Sequence, residues 1–376
     1  MNRELSVSRR RFLGAGLGAS SVMLLGRSAV QAAANGDDLR CGMIGTGGRG
    51  RGVLHAIHKS PNVRVTALCD INPHNLGEAA KSVEADKPQL FEDYRKLLDF
   101  KELDVVFVET PCDLHAPMFI DVLKSGRHLY AEKPLGLTVA EIDAVTAAAK
   151  ASGKVVQSGT QLRYARPWQP AVMAAREGKV GKIIAIRAQR QNSGDLPHSI
   201  LWLHLTKRSG DIIVEQAVHE LDLFNWVLDG IPERAGGFGG QSLLFAPPGR
   251  NTMDHYGVTY DYGDKRTVSY SHSWLAAPGI PHDGFQVLAY GADGAVDVAY
   301  GNIYMKPDGK HSTVDPNPAG DSTQLAVDDF FRCIRENKKP LADVDSGRAC
   351  VLTALLGRKA IYENRVVTMK ELLAER

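Results

Sequence analysis

The turn Gly45-Thr46-Gly47-Gly48-Arg49-Gly50 limits what this chain can fold into more than any other stretch. It follows a short apolar run, Leu39 to Ile44, and leads into Val53 to His58, which reads as a helix. Gly-x-Gly-x-x-Gly set between a strand and a helix is a dinucleotide-binding arrangement. Gly45 allows the tight turn, Gly47 leaves room for a pyrophosphate, and Gly50 lets helix and strand pack closely. The helix N-terminus offers unpaired N–H groups and a positive dipole end.

The next apolar run, Val63 to Cys69, ends in Asp70. A carboxylate at the tip of the second strand is where a ribose hydroxyl is held, and it favours NAD over NADP because it repels a 2′-phosphate. Glycines and an aspartate also occur in ordinary surface loops. Here two strands and a helix stand in register with them, and dinucleotide binding is the expectation.

The first residues read as an address. Ser8-Arg9-Arg10-Arg11-Phe12-Leu13 matches the twin-arginine export pattern, a Gly/Ala-rich stretch follows, and Ala32-Ala33-Ala34 offers a cleavage site. Arg27 interrupts the apolar run short of the roughly 18 residues a spanning helix needs. Residues 1–34 are expected to direct the folded protein to the periplasm or outside the cell. The whole chain carries +2 and this segment alone +4, so the remainder is about −2. That balance gives no footprint for nucleic acid.

The rest is long enough for two domains of roughly 100–200 residues each. The expected division is a dinucleotide-binding domain over 35–160 and a substrate and oligomerisation domain over 161–376. Cys41, Cys69, Cys112, Cys333 and Cys350 form no C-x-x-C pair and no metal spacing, so neither a disulfide scaffold nor a metal site is expected.

Beyond Asp70 the pattern alternates. Helices are expected over 75–87, 94–98, 116–125 and 139–151, and strands at Val105–Val108, His128–Ala131 and Val155–Gln157. Such alternation specifies a doubly wound α/β sheet. Two strands end in Glu109-Thr110-Pro111 and Glu132-Lys133-Pro134, at the edge where these sheets bind ligands.

With these stretches in place, the chain resembles the glucose–fructose oxidoreductase / inositol dehydrogenase / MocA family over nearly all of its length beyond the export segment. The matching residues are Gly45–Gly50, Asp70, Glu109-Thr110-Pro111 with His115, and Glu132-Lys133-Pro134. The resemblance implies a nicotinamide cofactor, tightly bound, as NAD(H) with NADP(H) the alternative. It implies a cofactor site of Gly45, Thr46, Gly47, Gly48, Arg49, Gly50, Asp70, Thr110, Pro111, His115, Glu132, Lys133 and Gln161. It gives Lys133 contact with both the nicotinamide ribose and the substrate hydroxyl, where an ammonium stabilises developing charge.

After Tyr164 the pattern changes to strand-like segments, 182–191, 256–262, 267–274, 285–290 and 295–299, several of them separated by turns. This reads as an antiparallel sheet. The resemblance implies an open sheet used for subunit association, with final helices at about 321–337 and 346–363 returning to the first domain.

Asp211 to Asp222 reads as one helix with two faces. Val214, Val218, Leu221 and Leu228 form an apolar stripe, and Glu215, His219 and Asp222 lie on another at i, i+4 and i+7. A histidine beside a carboxylate suits proton transfer. The family usually has aspartate where this chain has Glu215, which leaves that carboxylate's contacts open. His219-Glu220 begins like a zinc-protease helix, but Leu223 stands where the second histidine is required. Arg163, Tyr164, Trp202 and His204 are expected in loops bordering a sugar, with Asp222 near them. His198, His272 and His282 read as surface residues.

The expected activity is hydride transfer between a nicotinamide cofactor and a sugar, sugar derivative or cyclic polyol, with Lys133, His219 and Glu215 at the chemistry. Two alternatives are an exported glycosidase that uses bound NAD for transient oxidation, and a non-catalytic nucleotide-binding or sensing protein. Expected partners are the carbohydrate, the twin-arginine export machinery and further copies of the chain.

Overall fold

The computed structural model describes residues 38–194, 196–242, 247–315 and 320–375, so the export segment expected at residues 1–34 lies outside the described residues. The chain begins with β1 (Leu39–Ile44), α1 (Gly48–Lys59), β2 (Val63–Cys69), α2 (Pro73–Ser82), β3 (Gln89–Phe91) and α3 (Tyr94–Asp99). It continues through β4 (Val105–Val108), α4 (His115–Lys124), β5 (His128–Ala131), α5 (Val139–Ser152) and β6 (Val156–Ser158). These six strands form one parallel sheet in the order β3-β2-β1-β4-β5-β6. The order reverses between β1 and β4, the crevice where open α/β sheets bind ligands.

Local chemistry sets the helix ends. Asn72 accepts from His74 N and Pro73 opens α2, while Thr138 caps α5 and Gly153, in the left-handed region, ends it. The central strands β4 and β5 are buried along nearly their whole length and read as unbroken apolar runs, as a doubly covered sheet requires.

The second half contains α6 (Trp168–Arg176), β7 (Ile183–Ser193), α7 (Thr206–Ser209), α8 (Ile212–Glu215), α9 (Val218–Leu228) and β8 (Arg234–Gly240). Then come β9 (His255–Asp261), β10 (Thr267–Ala276), β11 (Phe285–Gly291), β12 (Gly294–Asp297), β13 (Asn302–Met305) and β14 (His311–Thr313). The chain closes with α10 (Ser322–Glu336), α11 (Val344–Tyr362), β15 (Val367–Thr368) and α12 (Met369–Leu373). Nine strands form an open sheet in the order β14-β13-β12-β11-β7-β10-β9-β8-β15, antiparallel except for the β7–β10 pair.

The last helices pack against helices of the first sheet. α10 packs on α1 and sets Phe330 and Phe331 edge-on against Phe107, with ring centroids 5.7 and 5.8 Å apart. α11 lies against α5 on one side and α9 and β8 on the other, joining the two sheets. Each ring so buried contributes about 1.5–3 kcal/mol, which makes the junction part of the core.

The helix expected over 211–222 is two helices, α8 and α9, interrupted at Gln216 and Ala217. The apolar-stripe reading is also corrected: every residue of α9 is buried, because α11 and α6 cover it beside the sheet. A helix in that position must satisfy each polar side chain internally.

Candidate active site

The glycine turn is built as the sequence requires. Gly45 has φ +90°, and a Cβ there would lie 2.7 Å from the Glu109 carbonyl oxygen. A Cβ on Gly50 would lie 2.1 Å from the Gly45 carbonyl, so helix and turn meet there with no room for a side chain. At Gly47 a Cβ would meet nothing nearer than 3.9 Å, and at Gly48 nothing within 4 Å. The N-terminus of α1 also has no side chain capping it. Open space in front of free N–H groups is the cradle a pyrophosphate needs. Asp70, at the end of β2, accepts from Thr46 N at 2.7 Å and Thr46 Oγ1 at 3.1 Å, which places its carboxylate at the mouth of that cradle. The residues present therefore fit a nicotinamide dinucleotide.

Arg49 turns inward from the same loop. Its guanidinium donates to Thr323 at the start of α10 and lies 3.9 Å from Glu109 and 3.6 Å from Glu132. Burial works against the Arg49 charge, but Glu132 and Glu109 more than offset it and hold the group protonated. Burial, reinforced by Glu132, raises Glu109 well above the usual carboxylate range, against the pull of Arg49 and Lys133. The turn is thus tied electrostatically to the Glu132-Lys133 loop.

His115 ties the two motif loops together. One ring nitrogen lies 2.8 Å from the Pro134 carbonyl oxygen and the other 2.8 Å from that of Thr110. Burial lowers its pKa against those two bonds. The ring, expected at the cofactor, is a buried strut holding Thr110-Pro111 against the lysine loop. Gln161, on a short 3-10 helix, keeps a buried carbonyl oxygen without a partner.

Lys133 Nζ donates to the Glu215 carboxylate at 2.6 Å and to the Glu215 carbonyl at 2.6 Å. Burial disfavours its charge, but Glu215 and then Glu132 outweigh that, so its pKa is raised and the ammonium stays charged. The contacts of Glu215, which the sequence left open, go to the lysine. The break at Gln216–Ala217 separates the two residues, and Glu215 serves Lys133.

On α9, Asp222 accepts two bonds from Arg163, at 2.6 and 2.8 Å. Glu220 takes bonds from Arg190 at 2.9 Å and Tyr270 at 3.3 Å. Asn225 bonds Thr353 at 3.0 Å and Tyr262 at 2.7 Å. His219 alone among these has a buried nitrogen, Nδ1, with no partner. Nε2 remains the nitrogen available to a substrate. Burial lowers the His219 pKa well below its usual value, reinforced by the charges of Lys133, Arg190 and Arg49. These effects favour the neutral ring, whose nitrogen carries a free lone pair.

Several expected sugar contacts have other employment. The Arg163–Asp222 pair is buried, with the guanidinium over Trp226 at 4.8 Å and donating to the Leu341 carbonyl. Tyr164 bonds Asp329 at 2.9 Å and accepts from Ala342 N at 3.2 Å, fastening the 3-10 helix to the α10–α11 connection. His204 is buried with Nε2 at 3.1 Å from the Pro197 carbonyl, and Trp202 packs on the core. Arg163 and Tyr164 thus tie the 3-10 helix to α9 and to the α10–α11 connection.

Sequence reasoning missed His272, which is 1% exposed and sits on β10 facing Gln216. It also missed Arg190, whose charge acts on His219.

Residues 39–160 match the family model described as the GFO/IDH/MocA oxidoreductase family, NAD-binding Rossmann fold. Residues 168–297 match the GFO/IDH/MocA C-terminal domain. The chain belongs to the GFO/IDH/MocA family. It is 33% identical over 156 residues to a glycosyl hydrolase family 109 protein of Shewanella pealeana, covering 39% of this chain and 34% of that one. It is 26% identical over 193 residues to inositol 2-dehydrogenase of Salmonella typhimurium, covering 51% of this chain and 55% of that one. The matches thus span about a third to just over half the length of these curated relatives.

In fold, this family member is similar to myo-inositol 2-dehydrogenase of Lactobacillus plantarum, with a TM-score of 0.74 at 22% identity over 88% of this chain and 99% of that one. It is also similar to a levoglucosan dehydrogenase solved with NADH and levoglucosan, with a TM-score of 0.76 at 19% identity over 89% of this chain and all of the other.

Proposed function

We propose that this GFO/IDH/MocA protein is an NAD-dependent oxidoreductase acting on a CH–OH group of a sugar, sugar derivative or cyclic polyol. The observation that carries this reading is His219. It is the one polar residue of α9 with a buried nitrogen, Nδ1, that has no partner among the described residues, and it lies within the electrostatic reach of a charged Lys133 at the ligand-binding edge of the first sheet. Residues 45–50 and Asp70 hold the dinucleotide, which supplies the two-electron acceptor. Lys133 Nζ faces the reacting oxygen and stabilises the charge that builds on it. His219, held in its neutral form, is the base that takes the hydroxyl proton as the hydride leaves. Glu215 fixes the lysine by gripping its ammonium through two oxygens.

The test is to identify the nucleotide released on denaturing the purified protein, then to screen sugars and cyclic polyols for reduction of the bound cofactor. A protein that releases no nicotinamide nucleotide, or whose cofactor no sugar reduces, sinks the reading.

The likeness to a glycosyl hydrolase family 109 protein favours a second reading, glycoside cleavage through transient oxidation with no net redox change. Release of free sugar from a nitrophenyl glycoside with the cofactor unchanged at the end selects it. Export of the folded protein by the pattern at Ser8–Leu13 and association of copies through the open sheet belong to the same proposal. Fractionation of an Arg9→Lys/Arg10→Lys variant and light scattering test them respectively.

A further inference from the structure

Two carboxylates end adjacent strands beside the glycine turn. β4 and β5 pair in register as far as Val108 and Ala131, and the next residue of each is a glutamate, Glu109 and Glu132. Both are buried, and Glu109 Oε1, Glu109 Oε2 and Glu132 Oε2 have no hydrogen-bond partner among the described residues. The neighbouring strand end leaves room for one of them, since a Cβ on Gly159 would lie 2.3 Å from Glu132 Oε2. Buried groups of like charge oppose one another, and a cation must hold them together.

Among the described residues, Arg49 is the one that brings a basic group within 4.0 Å of either carboxylate. Its Nε stands 3.9 Å from Glu109 and its Nη2 3.6 Å from Glu132, just beyond hydrogen-bond reach, and both nitrogens are buried without a partner. The pull between them is therefore one of charge. A single bond anchors the guanidinium, from Nη1 to Thr323 at the start of α10, 3.1 Å away. The other titratable groups around the trio are Tyr130 in β5, Lys133 at its end, Cys112 and His115 after β4, and His219 on α9. Burial favours the uncharged form of Tyr130, Cys112, His115 and His219, and Lys133 is gripped by Glu215. Arg49 is left as the counter-charge of the pair.

We propose that Arg49 is a positioning residue for Lys133: its charge holds Glu109 and Glu132 together at the sheet edge, and so fixes Glu132, the residue before the lysine, and with it the approach of the ammonium to the reacting oxygen. This rests on the oxidoreductase reading above.

The test loads the wild type, Arg49→Met, Arg49→Lys and the double variant Arg49→Met/Glu109→Gln with NAD and confirms their nucleotide content. Reduction by the best sugar or polyol of the screen is then followed in a single turnover. Readings run from neutral to mildly alkaline pH, above the range in which His219 titrates. Arg49→Met should be slower by roughly tenfold to a hundredfold, the cost of a misplaced catalytic group. That deficit should widen as pH rises, because ionised carboxylates then face each other with no cation between them. Arg49→Lys returns the charge and should remove the widening even where it restores only part of the rate. Glu109→Gln takes away one carboxylate and should narrow the alkaline deficit of Arg49→Met.

Melting curves give a readout that needs no substrate. A carboxyl whose pKa is raised in the folded chain loses its stabilising share as pH rises through that value. Arg49→Met should therefore lose melting temperature toward alkaline pH more steeply than the wild type, and Arg49→Lys should not. A rate deficit equal at every pH and unmoved by Glu109→Gln, with parallel melting curves, makes Arg49 a packing residue and overturns the proposal. A wild type that no sugar or polyol reduces brings down the oxidoreductase reading and the role toward Lys133 with it, while the melting curves still judge the pairing of Arg49 with the two carboxylates.

Discussion

Lys133 and Glu215 are 82 residues apart in the chain, yet the lysine ammonium lies 2.6 Å from both the carboxylate and the backbone carbonyl of that one residue. The contact joins the ligand-binding edge of the parallel sheet to the end of α8, just before the helix that carries His219. Removing the charge without shortening the side chain tests what it does. Lys133→Met should keep fold and nucleotide but slow reduction of the bound cofactor by roughly 10²–10³-fold, the usual effect of deleting one group that stabilises developing charge. Rapid mixing of the loaded protein with substrate measures that step, and a wild-type rate removes Lys133 from the chemistry.

His219 makes a prediction about pH. Its folded pKa lies well below the unfolded value of about 6.5, because burial and the nearby cations oppose the charged form. The unfolded chain therefore takes up a proton that the folded one refuses, and stability is lost as pH falls below about 6.5. His272 is depressed in the same direction and adds to the slope. Thermal melts of the wild type and His219→Asn between acid and neutral pH should show a shallower loss in the variant. The reduction rate of the wild type should show no inflection near 6.5, since the ring is already in its basic form there. His219→Asn should lower that rate by roughly 10²–10⁴-fold.

Asp222 is expected to matter for folding and not for chemistry. Its carboxylate and Arg163 are buried as a two-bond pair. Asp222→Ala leaves the guanidinium buried without its partner, at a cost of roughly 3–5 kcal/mol. Urea denaturation should register that loss, and the surviving folded fraction should reduce its cofactor at close to the wild-type rate. A catalytic role for Asp222 would show instead as a rate collapse at unchanged stability.

The parts legible in the sequence are those whose meaning is local. Gly45 to Gly50, Asp70 and the Glu132-Lys133-Pro134 loop each declare themselves within a few residues of a strand end, and the first sheet follows from them. β8 was hidden because Arg234 to Gly240 contains four glycines and no alternation; it is a strand only because β9 and β15 flank it. The fate of the charged groups on the helix pair was also hidden. Helical spacing pairs Glu215 with His219, but the break at Gln216 gives Glu215 to Lys133 and leaves Asp222 to Arg163. His272 reads as a surface strand residue from the sequence, but β10 lies under the break between α8 and α9, where Gln216 meets it. Such partners are set by tertiary packing, which no spacing rule records.

Asp70 should set cofactor affinity. Asp70→Ala removes a charged acceptor from the mouth of the cradle, worth roughly 1.5–3 kcal/mol in NAD(H) binding, and should narrow the preference over NADP(H). Calorimetry on protein stripped of nucleotide reads both changes. Thr46 N also loses its 2.7 Å acceptor, so a lowered melting temperature without any affinity change would assign Asp70 to the turn alone.

The two ends of the glycine turn should respond in opposite ways to one added methyl. At Gly47 the space in front of the backbone is open within the chain itself, and the nearest atom, Asn75 Nδ2, lies 3.9 Å from where the methyl carbon would stand. Gly47→Ala should therefore fold with the stability of the wild-type protein freed of nucleotide. It should still bind NAD(H) more weakly, by roughly 1–3 kcal/mol, because the methyl occupies the approach of the pyrophosphate. At Gly50 the same methyl would stand 2.1 Å from the Gly45 carbonyl oxygen, an atom fixed by the sheet. Gly50→Ala should push α1 off the turn and destabilise the nucleotide-free protein itself, at the upper end of that range or beyond. Melting curves without nucleotide separate the two variants, and calorimetry with NAD(H) completes the comparison. If Gly47→Ala binds as tightly as the wild type, the phosphates do not pass over this turn, and the dinucleotide site must be sought elsewhere on the sheet edge.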